Sequence, residues 1–342
     1  MAPVIDLLTS PNWTDYELLD SGDGQKLERF GPYTFVRPEV QALWTKTLPA
    51  ETWQAAHAVF QPSGEESGGH WAFQKKVPEQ WEMSYPLTPG VFAKHPFGAP
   101  ERRGELRFSV MTPSAGRHLG VFPECAAHWD WIGRLINDYH GAHREHGEKQ
   151  KGFSVDLSSP KGTVNSVVNE SSVNVLNLFG YTGLASLACA AAGAKVTHVD
   201  ASKKSVSWAR ANQILSGLAE KPVRWIVDDA LKFVEREARR GVKYDGILLD
   251  PPKFGRGPKG EVWEVYKSLP ELLQACRAVL SDRPLFVVLT VYAVKLPAIH
   301  AYSALAETMK GCGGELECGE LVTEEKSAGR LLSQAVYARW NP

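Results

Sequence analysis

Residues 245–254 read DGILLDPPKF, an apolar run that stops at an acid, two prolines and an aromatic residue. Such a run is typical of a strand buried on both faces of a parallel sheet. Ligands bind just beyond the carboxyl ends of such strands, so we predict that Asp250 lies at a ligand site. Pro251 and Pro252 fix φ and lack an N–H group, so they would end strand pairing and direct Phe254 towards a ligand. An ordinary strand exit capped by prolines is the alternative interpretation.

The length and composition are those of a globular protein large enough for two domains. The chain has 342 residues, of which 43% are hydrophobic and 23% are charged, both ordinary values for a protein of this class. It contains no apolar stretch of about 18 residues or more, and it begins without a basic leader. We therefore expect a cytoplasmic protein that does not associate with membranes.

Neither the cysteines nor the histidines indicate a metal site. The five cysteines are scattered and form no CxxC pair, which predicts neither a disulfide framework nor a zinc site. His140, His143 and His146 are spaced as metal ligands could be, but they lie in a polar segment without a matching acidic cluster. No metal is expected.

Acidic and basic residues are unevenly distributed, although the net charge is only −1. Residues 1–150 contain 14 Lys and Arg against 19 Asp and Glu, whereas residues 151–342 contain 24 against 20. Because phosphate contacts dominate the affinity of nucleic-acid-binding proteins, such proteins usually have a stronger basic footprint. The charge argues against an RNA substrate without excluding it, since local groups such as Lys253, Arg256 and Lys259 could contact phosphates.

The chain divides into three parts by its pattern. Residues 1–140 contain short alternating runs that predict β-strands, and residues 141–172 are polar and rich in Gly and Ser, as in a linker or insertion. In residues 173–342 apolar strands alternate with helices, which predicts a Rossmann-like α/β domain with a mostly parallel sheet. The predicted strands of this domain are 173–179, 194–200, 223–229, 244–250 and 284–290.

The first strand-to-helix turn of this domain carries the strongest pattern. Residues 177–186 read NLFGYTGLAS, and Gly180 and Gly183 would let the backbone pass close to a ligand at the start of the helix. The spacing is GxxG. A dinucleotide-binding loop would have GxGxxG, so a NAD-dependent oxidoreductase is disfavoured.

Acidic residues follow the next two strands. Asp200 lies about 20 residues beyond the glycine turn, where an acid can accept both hydroxyls of a ribose. Its alternative role as a helix cap would be served better by Ser202. After the third strand, Asp228 and Asp229 could accept from an adenine amino group. Either could instead cap the following helix, and Asp229 is favoured for the ligand.

These motifs resemble those of a known family. The motifs NLFGYTG, HVDAS, ARANQ, VDDALKF and LDPPKFG make residues 173–342 similar to class I methyltransferases that use S-adenosyl-L-methionine (SAM), in particular the bacterial large-subunit ribosomal RNA methyltransferases of the RlmI and RlmK type. Residues 118–132, HLGVFPECAAHWDWI, also resemble a segment of this group. The resemblance implies SAM as cofactor, a seven-stranded sheet, and a substrate-binding role for residues 1–140.

The resemblance also implies a set of site residues. Those expected around SAM are Phe122, Pro123, Glu124, Asn177, Phe179, Gly180, Tyr181, Thr182, Gly183, Asp200, Ala201, Ser202, Asp228, Asp229 and Asp250. Those expected at the reaction are Asp250, Pro251, Pro252 and Phe254.

The chemistry is predicted to be directed at an amine. Methylation of cytosine carbon 5 requires a cysteine nucleophile near the fourth or fifth strand, and the nearest candidates, Cys276 and Cys312, fall in predicted helices where core packing is expected. Asp250 and the Pro251 carbonyl could instead hold an exocyclic amine towards the methyl group. Phe254, or Tyr181 across the site, could stack on a planar substrate.

Three functional hypotheses follow. The leading one is a SAM-dependent methyltransferase acting on an RNA base, ribosomal by resemblance. The second is a methyltransferase of the same fold acting on a small planar amine or phenol, which the near-neutral charge favours. A noncatalytic binding protein is disfavoured by the intact NLFGYTG and DPPKF motifs. A homo-oligomer is compatible with the sequence.

Overall fold

A computed structural model describes residues 3–63, 68–87, 104–113, 116–149, 172–292 and 296–342. Most of the predicted linker, residues 150–171, therefore lies outside the described residues. Within the described residues, no helix is both long and apolar enough to cross a membrane.

The first part of the chain is rich in strands, as predicted. Its elements are β1 (Ile5–Leu8), β2 (Tyr16–Gly22), β3 (Gln25–Phe30), β4 (Tyr33–Pro38), α1 (Ala50–Gln54), β5 (Ala58–Pro62), β6 (Gly69–Phe73), β7 (Gln80–Pro86), β8 (Glu105–Met111), a 3₁₀ turn (Pro123–Cys125) and α2 (Ala126–Lys149). Strands β2 to β6 form one sheet, and β7 pairs with β8. Large aromatic side chains such as Phe30, Phe35 and Phe108 are fully buried between them, and such residues contribute most to the apolar area of a core.

The second part alternates strands and helices. Its elements are β9 (Asn174–Leu178), α3 (Leu184–Ala191), β10 (Lys195–Asp200), α4 (Lys203–Leu215), β11 (Val223–Val227), α5 (Ala230–Arg239), β12 (Gly246–Leu249), β13 (Phe254–Arg256), β14 (Val262–Glu264), α6 (Val265–Val279), β15 (Phe286–Val291), α7 (Ala298–Thr308), β16 (Glu315–Glu324) and β17 (Leu331–Asn341). Each of the five predicted strands of this part is present, as β9, β10, β11, β12 and β15. The predicted α/β architecture is confirmed.

The main sheet has the strand order β1-β16-β17-β15-β12-β9-β10-β11. Strand β17 is antiparallel to both neighbours, and the other described pairings of this sheet are parallel. Within residues 173–342, β9 is the first strand. Strands β10 and β11 follow it towards one edge of the sheet, and β12 then lies on the other side of β9. Ligands bind at such a reversal of strand order in open α/β sheets, so the topology places a site at the carboxyl ends of β9 and β12.

Residues 173–342 contribute the predicted seven strands to this sheet, and β1, from the N-terminal part, adds an eighth described strand at its edge. Ile5 is in register with Cys318 and Leu8 with Leu321. This strand has only four residues and an alternating, half-exposed burial pattern. Its partner lies more than three hundred residues away in sequence, so no local pattern could predict the pairing.

The predicted boundary at residues 140 and 141 falls inside α2, which continues to Lys149. The prediction of a linker over 141–149 is therefore corrected. The apolar face of α2 lies near its start, where Ile132 and Ile136 are fully buried. The last turns of the helix are polar, so their sequence lacks the periodicity that would reveal a helix.

The two halves of the chain share one hydrophobic core, which runs from the aromatic residues of the N-terminal sheets to α3 and β9. Polar contacts reinforce the junction on the side of β8. The Ser109 backbone N–H donates to Asn212 Oδ1 at 3.0 Å, and Trp208 Nε1 donates to the Ser109 carbonyl at 3.1 Å. The N-terminal strands are thus packed directly against the helices that surround the candidate site.

Candidate active site

A cleft of about 570 Å³ lies at the carboxyl ends of β9, β12 and β15, beneath the segment that leads into α2. Its lining combines apolar side chains with a few polar groups, as is usual for small-molecule sites. The lining residues are Val121, Phe122, Cys125, His128, Trp129, Asn177, Phe179, Gly180, Tyr181, Thr182, Leu184, Ala185, Leu248, Leu249, Asp250, Val288 and Thr290. The structure thus brings the predicted segment 118–132 together with the ends of three predicted strands, β9, β12 and β15.

The loop after β9 has an unusual backbone. Phe179 and Tyr181 have positive φ angles of 58° and 50°, and Gly183, which caps α3, has a φ of 86°. Left-handed conformations of bulky residues cost free energy and cluster at ligand sites. Thr182 Oγ1 donates to the Gly120 carbonyl at 2.6 Å, which ties the loop to the opposite wall of the cleft. Contacts with the rest of the protein therefore hold the loop in backbone conformations that are unfavourable for Phe179 and Tyr181.

Asn177, also predicted to contact the cofactor, is buried at the end of β9 and lines the cleft. Its Nδ2 donates to Ser186 Oγ at 2.8 Å. This hydrogen bond fixes the orientation of the Asn177 amide and links the end of β9 to the start of α3.

Asp200 closes the loop from the end of β10. Its carboxylate accepts from the Tyr181 backbone N–H at 2.9 Å and from the Ser202 N–H at 2.8 Å. Burial raises the pKa of Asp200, while these two N–H groups favour its ionised form. Each carboxylate oxygen retains acceptor capacity for a hydroxyl group. Ser202 is the N-cap of α4, as predicted, because its Oγ accepts from the Ser205 N–H.

Asp228 and Asp229 have their own partners. Asp229 is the N-cap of α5 and accepts from the Lys232 N–H at 3.0 Å. The residue that caps the helix is thus the one that the sequence analysis favoured as the contact to adenine. Asp228 pairs with Arg236. Of the described acids at the strand ends, only Asp250 lines the cleft; Asp200, Asp228 and Asp229 lie beyond its lining, as do Ala201 and Ser202.

The turn after β12 is anchored on both sides. Pro251 is buried, and the Pro252 carbonyl accepts from Trp263 Nε1 at 2.7 Å. The Trp263 ring in turn lies 4.9 Å from the Phe179 ring. Phe254, predicted to face the ligand, belongs to the hairpin of β13 and β14 and is 54% exposed. The hairpin carries Phe254 outside the cleft lining, a geometry that the motif alone does not specify.

The opposite wall is formed by the 3₁₀ turn Pro123–Cys125, which brings a second acid near Asp250. Glu124 is only 5% exposed. Burial, followed by the negative charge of Glu124, raises the pKa of Asp250 to about 8. The Phe122 ring packs 5.8 Å from Tyr181 and 5.0 Å from Tyr292. The predicted residue Phe122 therefore lines the cleft, whereas Glu124 lies outside its lining.

The sequence analysis missed two residues of this region, Cys125 and His128, and Cys125 corrects a prediction. Cys125 lines the cleft, with its Sγ 3.0 Å from the Tyr292 hydroxyl, although no cysteine was expected near the site. His128 also lines the cleft while packing in the core. Cys125 and His128 lie within the segment HLGVFPECAAHWDWI, so the resemblance located them without assigning them a role.

No protein-family model matches the chain, but solved structures do. The SAM-dependent methyltransferase from Agrobacterium tumefaciens is 41% identical, and the match covers 99% of this chain and 94% of that one with a TM-score of 0.80. The SMU.776 protein, whose crystal structure contains S-adenosylhomocysteine (SAH), shares the fold at 17% identity with a TM-score of 0.60, over 96% of this chain and 76% of that one.

Curated relatives match over a shorter stretch. The ribosomal RNA large subunit methyltransferase K/L of Shewanella frigidimarina is 38% identical over 110 residues, which are 32% of this chain and 15% of that protein. The same enzyme of Shewanella sp. strain ANA-3 is 40% identical over 89 residues, 25% of this chain and 12% of that protein. The matches thus span a small part of these longer proteins.

The chain belongs to the SAM-dependent methyltransferases, as the match to the Agrobacterium enzyme over almost its whole length shows. Among them it is a class I enzyme that resembles the large-subunit ribosomal RNA methyltransferases K/L. SAM is its cofactor, and the predicted class of enzyme is confirmed.

Proposed function

We propose that the enzyme transfers the methyl group of SAM to an exocyclic amine of an RNA base, with ribosomal RNA as the first candidate. The observation that carries this proposal is the position of Asp250, which follows β12 directly, lines the cleft and precedes the rigid Pro251–Pro252 turn. The relatives named for ribosomal RNA support the choice of RNA. Such a substrate would place the enzyme in the cytoplasm.

Residues of the cleft and of the adjoining strand ends fit SAM in four places. Asp200 retains acceptor capacity for the ribose hydroxyls, the strained loop from Phe179 to Gly183 offers backbone groups to the methionine part, and Asp250 lies at the reactive end. Asp229 caps α5 through Oδ1, and its other carboxylate oxygen can accept a hydrogen bond from the adenine amine. When bound, SAM supplies an electrophilic methyl group on a sulfonium, so the chain mainly has to orient the acceptor and exclude water.

Asp250 has two tasks in this proposal. Its carboxylate accepts a hydrogen bond from the acceptor amine, which directs the nitrogen lone pair at the methyl carbon. As the nitrogen–carbon bond forms and the carbon–sulfur bond breaks, the amine becomes a cation and must lose a proton. A carboxylate whose pKa is raised to about 8 is a better proton acceptor than an ordinary aspartate.

Comparison of RNA nucleosides by mass spectrometry, from cells with and without the gene, tests the proposal. We expect one methylated nucleoside to disappear with the gene, and the purified enzyme with SAM to restore it on RNA from the deficient cells. Identical nucleoside profiles, together with no methyl transfer to that RNA in vitro, would refute an RNA substrate.

A small planar amine or phenol is the second candidate. The acidic balance of residues 1–150, with 14 Lys and Arg against 19 Asp and Glu, favours it because phosphates would be repelled,. Small aromatic amines should be offered in parallel with RNA under identical conditions. Transfer to amines and never to RNA would put this candidate first. A homo-oligomer stays a prediction from the sequence.

Replacing Asp200 with alanine is expected to weaken SAM binding by roughly 1.5–3 kcal/mol, the usual contribution of hydrogen bonds to a charged group. The loss includes the support that Asp200 gives to the Tyr181 N–H, and SAH should be affected equally because it has the same ribose. Calorimetric titration measures both ligands, with Asp282→Ala, at an exposed acid, as a control for the loss of one negative charge. Unchanged affinity in a folded Asp200→Ala protein would leave Asp200 a purely structural role.

Replacing Cys125 with serine is expected to leave turnover within a few fold of the parent. Burial and the nearby acids Asp250 and Glu124 raise the pKa of the Cys125 thiol well above its ordinary value, so the thiolate required of a nucleophile is disfavoured. The double variant Cys276→Ala/Cys312→Ala should behave in the same way, apart from any loss of stability. Abolished turnover in folded Cys125→Ser, or a trapped adduct with a fluorinated pyrimidine, would contradict the amine-directed reaction.

A further inference from the structure

The hairpin of β13 and β14 has two faces of different character. Its paired positions are Phe254 with Glu264, Gly255 with Trp263, and Arg256 with Val262. Paired residues share a face, and successive residues alternate between faces. Trp263 is buried on the inner face, whereas Phe254, Arg256 and Val262 are exposed on the outer face.

The inner face joins the hairpin to the cleft. Trp263 Nε1 donates to the Pro252 carbonyl at 2.7 Å, and the Trp263 ring lies 4.9 Å from the ring of Phe179, which lines the cleft. Pro252 belongs to the turn that directly follows Asp250. The hairpin is therefore fixed beside the end of the cleft that Asp250 lines.

The tip of the hairpin is held as well. The Gly257 N–H donates to the Glu261 carbonyl at 2.8 Å, and the Lys259 N–H donates to Glu261 Oε2 at 2.9 Å. The other carboxylate oxygen of Glu261 accepts from Lys232 Nζ, on α5, at 2.8 Å. Because base and tip are both anchored, the outer face is preformed, which lowers the entropic cost of binding a partner.

Exposed apolar side chains are concentrated in and next to this hairpin. Phe254, Val262 and Tyr266, in the first turn of α6, are each more than half exposed. They are three of the six large hydrophobic residues that are exposed among the described residues from 172 onwards. Clusters of exposed apolar side chains mark interaction sites, so this segment is a candidate for contact with a partner.

The same segment is basic. Residues 253–267 contain four Lys and Arg and two Glu, a net charge of +2 in a chain whose net charge is −1. Both acids are already paired with lysines, Glu261 at 2.8 Å and Glu264 at 2.7 Å. Arg256 and Lys259 are exposed. The charge of this surface is therefore complementary to that of a polyanion.

Exposed aromatic side chains beside positive charges are the combination that binds single-stranded nucleic acids, because bases stack on the rings while phosphates meet Lys and Arg. A duplex keeps the faces of its bases stacked on one another, so it could not use the Phe254 ring. An apolar protein surface would gain nothing from the excess of positive charge.

We propose that the outer face and tip of the hairpin bind single-stranded RNA next to the target nucleotide, with Phe254 stacked on a neighbouring base and Arg256 and Lys259 on phosphates. This inference rests on the proposed RNA substrate. It gives Phe254 a partner outside the cleft, in place of the target base itself.

Stacking and phosphate contacts have different effects on binding. Phe254→Ala should weaken RNA binding about tenfold, a usual effect of removing a stacked ring, and leave its salt dependence unchanged. Phe254→Trp should retain the affinity, because the larger ring can still stack. Arg256→Ala/Lys259→Ala should reduce the slope of log affinity against log salt concentration by about 1.4, since each phosphate contact of a single strand contributes about 0.7.

The test is fluorescence anisotropy with a labelled single-stranded RNA of about 12 nucleotides, within the range of site sizes of single-strand-binding proteins. The full chain is titrated in the presence of SAH at several salt concentrations between about 50 and 200 mM. The matching RNA duplex should bind more weakly, and its affinity should be the same for the parent and Phe254→Ala. Calorimetric titration with SAH shows that each variant is folded.

Matched controls lie away from the hairpin. Ile214, at the end of α4, is an exposed apolar residue, and Arg283 and Lys310 are exposed basic residues that precede β15 and β16. Ile214→Ala and Arg283→Ala/Lys310→Ala should keep the RNA affinity and the salt dependence of the parent.

Equal RNA affinity of the parent and Phe254→Ala, or an unchanged salt slope in Arg256→Ala/Lys259→Ala, would overturn the inference and leave the RNA substrate intact. Unchanged RNA binding combined with loss of methyl transfer only to assembled ribosomal subunits would make the hairpin a protein-binding face instead. A parent that bound SAH but no RNA would refute the proposed RNA substrate, and this surface with it.

Discussion

Replacing Asp250 with asparagine is expected to reduce methyl transfer at least about a hundredfold. The substitution keeps the size of the side chain and can still hold an amine, but it removes the group that accepts the proton. Loss of a general base or of a positioned reactant typically costs a factor of that order or more. The loss of SAM affinity should be much smaller, about tenfold at most, because the ribose and methionine contacts are assigned to other residues.

Turnover and SAM binding must be measured on the same preparation. Asp282→Asn, an exposed acid between α6 and β15, is a suitable control for the loss of one negative charge. Turnover of the parent should rise with pH below about 8, because deprotonation of Asp250 produces the accepting form, and this rise should disappear in Asp250→Asn. Equal losses of turnover and SAM affinity would show that Asp250 serves only the cofactor.

Replacing Arg37 with alanine is expected to lower the free energy of unfolding by about 3–5 kcal/mol, the usual cost of removing one partner from a buried ion pair. Arg37 Nε donates to Glu28 Oε2 at 2.7 Å, and its Nη2 donates to Glu28 Oε1 at 2.8 Å. The Tyr16 hydroxyl completes the cluster at 3.0 Å from Glu28 Oε1. The substitution would leave the Glu28 carboxylate buried without its main partner.

Arg29→Ala provides a matched control on the adjacent strand. Arg29 pairs with Glu17 at the same distance of 2.7 Å, but both side chains are more than a quarter exposed, so the expected loss is at most about 1 kcal/mol. Denaturant unfolding of both variants measures the difference. Similar losses of unfolding free energy in the two variants would contradict the importance of burial. The double variant Glu28→Gln/Arg37→Met should recover much of the free energy of unfolding lost in Arg37→Ala.

The same ion pair should make stability sensitive to acid. Burial alone would raise the pKa of Glu28, but Arg37 and Lys26 overcome it and lower the pKa to about 2. A carboxyl group with a depressed pKa stabilises the folded state above its unfolded value of about 4.3 and loses that contribution as the pH falls towards 2. Arg37→Ala should therefore show a weaker pH dependence of stability over this interval than the parent.

The elements that were predicted correctly are those whose signal is local. Strands β12 and β15 are largely apolar runs, β9 and β10 each contain several apolar residues, and the glycines of NLFGYTG mark the loop between β9 and α3. The N-cap role of Ser202 also follows from its position before a helix. The class of enzyme and its cofactor could be predicted because these local signals occur together in a characteristic order.

The parts that could not be predicted depend on contacts between distant segments. Strand β1 pairs with β16, and Cys125 meets Tyr292, only in the folded chain. The raised pKa of Asp250 depends first on burial in the folded chain and then on the charge of Glu124, 126 positions earlier in the sequence. The outward position of Phe254 results from the hairpin of β13 and β14, whose pairing the sequence analysis did not predict.

The pairing of β1 with β16 also constrains the order of events during synthesis. Ile5 leaves the ribosome early, but its partner Cys318 follows about 15–60 s later at ordinary elongation rates of about 5–20 residues per second. During that interval the exposed apolar side chains of β1 have no sheet edge to join. Strands β2 to β6 can pair with one another while translation continues, whereas the edge of the main sheet closes only after β16 and β17 have emerged. Pairing of β1 is thus a late event, limited by the arrival of β16.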